Sequence, residues 1–240
     1  MSGAVVVGAG PGIGLAVARR FAREELPVGV IARSDATLSN LRAELARTGV
    51  ETAAVAADVT DSSALSAALH TITNRFGEPD VLVYNAAMIQ WDEFGELTAQ
   101  QHLDAWATNV GGAITAVGYV GPRMAARGSG TIIITGGMPT PVPQVTSLSL
   151  GKACIRALTE LLETRFGPSG VHVATVTVAG AVAPGTAFDP DEIAEQYWAL
   201  HSQPRDEWER EVLYTGPIDP ELDDAQIAPA ADLTRNFGGL

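Results

Sequence analysis

The chain contains one cysteine, Cys154, so no internal disulfide can form, and a reducing cytoplasm is the expected compartment. Cys154 reads as a small apolar filler on its helix. With a lone cysteine there is no Cys/His cluster, and His70, His102 and His172 have no metal-ligand spacing, so no metal site is expected. No run of apolar residues is long enough to span a bilayer. Residues 1–7 lead straight into an apolar strand without a basic start or a small-residue cleavage site, so no signal peptide is expected. Basic residues are scarce. Lys and Arg number 15 against 28 Asp and Glu, a net charge of −13. Residues 189–240 carry thirteen acidic and three basic residues, leaving the first 188 near neutral. Such a surface repels phosphate backbones and anionic headgroups, which excludes nucleic acid and membranes as partners. Lysine is scarcest of all: Lys152 is the only one, every other basic side chain being arginine.

What the chain does have is a regular alternation of apolar runs and amphipathic stretches. Strands are predicted over 4–7, 28–32, 51–56, 81–84, 131–135, 171–177 and 211–214. Helices are predicted over 15–24, 36–48, 62–76, 99–126, 147–166 and 191–201. This rhythm predicts a single α/β domain over residues 1–215, a Rossmann-type doubly wound sheet of about seven mostly parallel strands with helices on both faces. Residues 216–240 lack periodicity and are expected to form an acidic tail, partly disordered or lying on a neighbouring subunit. The Pro- and Gly-rich loops 136–146 and 179–190 should lie at the strands' carboxyl ends, where ligands bind in such sheets.

The first strand runs into Gly8-Ala9-Gly10-Pro11-Gly12-Ile13-Gly14 and then a helix. Strand, glycine-rich turn and helix together aim backbone N–H groups and a helix N-terminus at a phosphate. At the end of the second strand, where a carboxylate would hold a ribose 2′-hydroxyl, the chain reads Ala32-Arg33-Ser34. Nothing there repels a 2′-phosphate and Arg33 can pair with one, so NADP(H) is expected over NAD(H).

With these residues in view, the chain resembles the short-chain dehydrogenase/reductase family over roughly residues 3–215. The glycine motif matches in spacing. Asp58-Val59 is similar to the family's adenine-contacting pair, and Asn85-Ala86-Ala87 to its Asn-Asn-Ala-Gly motif, with Tyr84 and Ala87 departing from it. Asn109, in Thr-Asn-Val-Gly, matches the active-site asparagine, and Lys152 the active-site lysine. The resemblance implies a nicotinamide cofactor, a small-molecule substrate and a homo-oligomer, a dimer or tetramer, built through helices 99–126 and 147–166.

The family's chemistry uses Ser, Tyr, Lys and Asn, the tyrosine moving the substrate's proton and standing four residues before the lysine. Here that position is Leu148, and the serine position, after strand 131–135, is assigned to Gly136. The usual Pro-Gly after the sixth strand reads Val178-Ala179-Gly180. Leucine moves no proton. Replacement candidates are Ser149, which roughly faces Lys152, and Thr135 at the rim. Tyr197 and His201, i and i+4 on one helix, are set against a plain docking face for that helix, and Tyr84 reads as an aromatic shaping the pocket. Asp92-Glu93 and Glu96 read as a loop and helix start. The expected function is an oxidoreductase acting on a small carbonyl, enone or imine with a non-standard proton donor. The alternatives are a non-redox cyclase, dehydratase or isomerase, and a cofactor-binding regulatory protein. Restoring Leu148→Tyr with Gly136→Ser is expected to bring back carbonyl reduction.

Overall fold

The central strands are largely apolar because both faces of the sheet are covered there. In the computed structural model, described for residues 3–217, strands β1 (Ala4–Val7), β2 (Val28–Ala32), β3 (Thr52–Ala56), β4 (Val81–Tyr84), β5 (Gly130–Thr135), β6 (Val171–Val178) and β7 (Glu211–Tyr214) form one sheet. Their order is β3-β2-β1-β4-β5-β6-β7 and every pair is parallel. Helices α1 (Ile13–Ala22), α2 (Asp35–Ala46) and α7 (Pro190–Ser202) cover one face, and α3 (Ser62–Phe76), α5 (Gly112–Arg127) and α6 (Thr146–Phe166) cover the other. Alternation along each strand divides the core between them: Val6, Val83 and Ile133 pack on the first side, Val5, Leu82 and Ile132 on the second. The chain winds outward from β1 to β3, then returns to β4 on the other side of β1. The β1/β4 boundary is therefore the switch point where a crevice opens.

Several helix starts carry the caps their sequences announce. Asp61 accepts from the N–H groups of Ser63 and Ala64 at 2.9 Å, and Thr98 with Gln101 forms a reciprocal capping box. Of the tail expected over 216–240, only residues 216 and 217 fall within the described residues. Cys154 is exposed on α6 rather than a buried filler.

The helix expected over 99–126 is interrupted. α4 (Ala99–Trp106) passes through a π-helical turn, Ala107–Gly111, into α5, and Gly112 N–H reaches back five residues to the Ala107 carbonyl. The cause is the buried Tyr84 at the end of β4, whose hydroxyl donates to the Thr108 carbonyl at 2.5 Å. Gly112 makes room for it, since a Cβ there would lie 2.2 Å from that hydroxyl. Extra turns of this kind gather at functional sites, and this one carries Asn109. Gly112→Ala should destabilise the protein by about 1–3 kcal/mol, the range of overpacked sites. Tyr84→Phe alone loses one hydrogen bond, about 1 kcal/mol. The double variant, relieved of the hydroxyl contact though still 2.9 Å from Val59 Cβ, should lose less stability than the sum of the single losses. Additive losses in urea unfolding would show that Tyr84 does not set the turn.

Candidate active site

At the β1/β4 switch point the carboxyl ends of the strands open into a cavity of about 890 Å³, a size suited to a cofactor with a small substrate. The glycines at its floor have separate tasks. Gly8 adopts φ +83° and packs so closely on the next turn that a Cβ would lie 2.3 Å from Ala86 N. Gly14 lets α1 close on the turn, its missing Cβ lying 2.7 Å from the Gly8 carbonyl oxygen. Gly10 and Gly12 face open space, with no atom within 4 Å of where a Cβ would sit. No side chain caps α1. The first N–H groups of the helix therefore border a cradle that side chains would fill, and an anionic phosphate fits it.

Asn85 locks the two halves of the switch point together. Its amide donates to the Gly8 carbonyl at 2.9 Å and its oxygen accepts from the Thr135 hydroxyl at 2.9 Å. At the β2/β3 end the cavity is lined by Arg33, Ser34, Asp58 and Val59. Ser34 caps α2 through the Thr37 N–H. Asp58 accepts from the Thr60 N–H and hydroxyl, and these bonds hold its carboxyl below the usual carboxylate range, with a smaller contribution from Arg33. Of the residues expected to hold a cofactor, Gly8, Gly10, Gly12, Ile13, Gly14, Arg33, Ser34, Asp58, Val59, Asn85, Ala86, Ala87 and Lys152 line this one cavity; Pro11 does not.

Lys152 closes the other end. Its Nζ donates to the Thr135 carbonyl at 2.7 Å, and it makes no ion pair within the described residues. Burial without a carboxylate disfavours the charged form and pulls the amine down to about 8. Leu148, one turn earlier on α6, is buried against Met138, Val142 and Val145 and forms an apolar wall where a phenol would stand. The assignment of the serine position to Gly136 needs correction. A Cβ at Gly136 would strike Thr177 Oγ1 at 2.4 Å and Thr175 Oγ1 at 2.7 Å, into the sheet. A Cβ at Gly137 would instead lie 3.6 Å from Lys152 Cε. Gly137 has φ +154° and Met138 φ +48°, backbone that L-residues rarely adopt. Arg156 pins this turn by donating to the carbonyls of both residues.

Of the other candidates, Ser149, Tyr197 and His201 are held away from the cavity. Ser149 is engaged twice with Val142, accepting from its N–H and donating to its carbonyl, so it clasps the loop. Tyr197 and His201 do not project into the pocket: α7 turns them onto the sheet. His201 meets Thr131 at 2.9 Å, and the Tyr197 hydroxyl meets Thr135 Oγ1 at 2.7 Å. Thr135 has one hydrogen, which goes to Asn85, so Tyr197 is the donor. Thr135 itself lines the cavity. Asn109 stands behind the wall, accepting from Met88 N–H at 2.7 Å, with its amide nitrogen buried and unpartnered. Gly151 permits this approach, since a Cβ there would lie 2.8 Å from Asn109 Cβ.

Sequence reasoning missed one polar cluster. Asp92, read there as loop, is buried. It takes the Ser147 hydroxyl and N–H, and through its backbone holds Gln144 and Thr146. His102 Nδ1 lies 2.8 Å from Ser147 Oγ. Since that hydroxyl's hydrogen goes to Asp92, the imidazole is the donor. The cluster fastens the loop before α6 to the loop after β4. No spacing in the sequence announces it, because its members are far apart in the chain.

A seven-stranded parallel sheet with a phosphate cradle and a cavity at its switch point defines a dinucleotide-binding α/β protein. The family model for short chain dehydrogenases matches residues 2–191, and the chain belongs to that family. It is 30% identical over 241 residues to the oxidoreductase UcpA of Salmonella typhimurium, covering 97% of this chain and 81% of that protein. It is 33% identical over 197 residues to the short-chain reductase protein NovJ of Streptomyces niveus, covering 80% and 72%. The match to the probable oxidoreductase EphD of Mycobacterium tuberculosis, 30% identical over 194 residues, takes in 75% of this chain but only a third (33%) of that protein. Among solved structures, an alcohol dehydrogenase from Thermococcus sibiricus complexed with 5-hydroxy-NADP aligns with a TM-score of 0.80 at 26% identity, over 90% of this chain and 99% of that one. A metagenomic short-chain oxidoreductase in complex with NADP aligns with a TM-score of 0.79 at 25% identity, over 88% and 96%.

The lysine generates a stability prediction. Its amine is held near 8 in the fold against 10.5 unfolded. The folded state therefore binds fewer protons between those values, and stability should rise as pH climbs from about 8 to about 10.5. Below pH 8 the fold bears the full cost, about 3 kcal/mol at 1.36 kcal/mol per unit. Lys152→Met should thus be more stable than the parent at pH 7 by up to about 3 kcal/mol, with the gap closing above pH 8. A less stable variant at pH 7, measured by urea unfolding without cofactor, would contradict a desolvated amine.

Proposed function

We propose that this chain is an NADP(H)-dependent oxidoreductase acting on a small organic carbonyl, enone or imine, with Lys152 in place of tyrosine as the group that handles the proton. The observation carrying this reading is the ionisable content of the cavity wall: Arg33 and Asp58 at one end, Lys152 at the other, and no other titratable side chain among the described residues. Arg33 is exposed, makes no hydrogen bond or ion pair within the described residues and follows Ala32, which suits it to a 2′-phosphate. The uncapped start of α1 suits the pyrophosphate. The NADP and 5-hydroxy-NADP complexes of two relatives support the same cofactor here.

When bound, NADPH would supply the hydride. Lys152 spends one of its three hydrogens on the Thr135 carbonyl and keeps two for a ribose hydroxyl or a substrate oxygen. An ammonium near 8 is mostly charged at neutral pH yet can release its proton, the property a general acid needs. Thr135, fixed by Asn85 and Tyr197, holds the carbonyl that orients it. Met88, Ile89, Met138, Leu148 and Val182 give the cavity lining an apolar part, which favours an uncharged substrate. A non-redox enzyme is the second reading, favoured by Leu148 filling the phenol position. Self-association through α4, α5 and α6 is supported by the exposed side chains of Leu103, Trp106, Ile114, Leu150 and Leu161.

Arg33→Ala should weaken NADPH binding about 10- to 100-fold, the worth of a charge-assisted contact, and change NADH binding far less. Equal losses for both dinucleotides, followed by tryptophan fluorescence, would remove the 2′-phosphate assignment. For the chemistry, NADPH consumption is followed across a panel of ketones, enones and imines. Lys152→Met should abolish any turnover found, and turnover that survives it would sink the lysine's role. Leu148→Tyr by itself should broaden carbonyl reduction. Adding Gly136→Ser should cost stability rather than add activity, because the new side chain meets Thr175 and Thr177.

A further inference from the structure

A primary amine becomes a carbon-attacking nucleophile when it is neutral, reachable from a substrate cavity and unpaired with an acid. Lys152 meets the second and third of these conditions by its placement. It lines the cavity, and among the described residues its nitrogen has one hydrogen-bond partner, the Thr135 carbonyl, and no carboxylate paired to it. One turn before it stands Leu148, which offers no proton and no competing charge. Beside its Cε the chain places Gly137, where a Cβ would come into contact at 3.6 Å and none is present. The strained turn that presents this bare backbone is held by Arg156. Burial adds the remaining condition, since it brings the amine down to about 8.

We propose that Lys152 forms an imine with a small, uncharged aldehyde or ketone bound against Met138 and Leu148. The neutral Nζ lone pair adds to the carbonyl carbon; the C–N bond forms as the C=O π bond opens, giving a carbinolamine. Loss of its hydroxyl group as water, with a proton from the nitrogen, completes the C=N bond. No electrons are transferred and no co-reactant is required. Taking up a proton, the imine becomes an iminium, which draws electrons from the adjacent carbon and opens isomerisation or dehydration chemistry to the scaffold. The inference rests on the cavity and the amine, and not on the redox reading.

The sole lysine makes the test clean. The intact protein is incubated with pentanal and sodium cyanoborohydride from pH 6 to 10, and the adduct is located by peptide mass spectrometry. The same chain unfolded in guanidinium chloride is the reference, and the N-terminal amine is the internal standard. At pH 7 an amine near 8 has about 300 times the neutral fraction of an ordinary lysine, so Lys152 should be alkylated at least about tenfold faster in the fold than unfolded. Its rate should rise with a midpoint near pH 8. Alkylation of Lys152 no faster in the fold, with the N-terminal amine labelled in both states, would overturn the proposal. NADPH binding is measured on the same protein without aldehyde. Binding without Lys152 labelling sinks the imine and leaves the cofactor reading standing, while labelling without NADPH binding does the reverse.

Discussion

An amine taken out of water at the end of a ligand cavity, with a single backbone carbonyl for company, is the constraint around which this molecule is arranged. Desolvation disfavours its charge, and no carboxylate is paired with it to restore it. Everything near it serves to keep it in place. Thr135 offers the carbonyl, Asn85 and Tyr197 fix Thr135, and the Asn85 amide ties the assembly to the glycine turn that begins the phosphate cradle. One chain of hydrogen bonds thus runs from α7, through β5 and β4, to the first strand. A desolvated amine at this point costs the fold about 3 kcal/mol of stability at neutral pH.

The two ends of the cavity follow different logic. At the Arg33 end, backbone and charge leave room for a dinucleotide: glycines leave space, no side chain caps α1, and the strand end carries Ala32 where a carboxylate would stand. At the Lys152 end, hydroxyl groups are withdrawn. Leu148 fills the phenol position with hydrocarbon, Ser149 is spent on Val142, and Gly137 presents no side chain at all. The glycine turn and Arg33 at one end and Leu148 and Gly137 at the other are separate residues, and Lys152 is the group the two ends share.

How much of this could be read from the sequence depended on distance along the chain. Strands and helices were legible because their signals are local: continuous apolar runs for a doubly covered sheet, and Asp61 or Thr98 immediately before the helices they cap. The cradle was legible because its four glycines fall within seven residues, Gly8 to Gly14. The π turn was not, since it depends on the Tyr84 hydroxyl meeting a helix more than twenty residues later. Gly136 and Gly137 could not be separated from sequence, because a one-residue step at a strand end reverses the face a side chain takes. Tyr197 and His201 share a helical face, but only the packing of α7 on the sheet shows that the face points into the core. Asp92, Ser147 and His102 form one cluster from three distant segments and leave no pattern to find.

Because the chain has one lysine, protein grown with lysine labelled at 13Cε and 15Nζ gives a single side-chain resonance, and its titration reads the central claim without ambiguity. The account predicts a midpoint near pH 8 in the free protein, and a change in both shift and midpoint when NADP is added. A midpoint near 10.5 that NADP leaves unmoved would show a solvated lysine outside the site, and the account would fail.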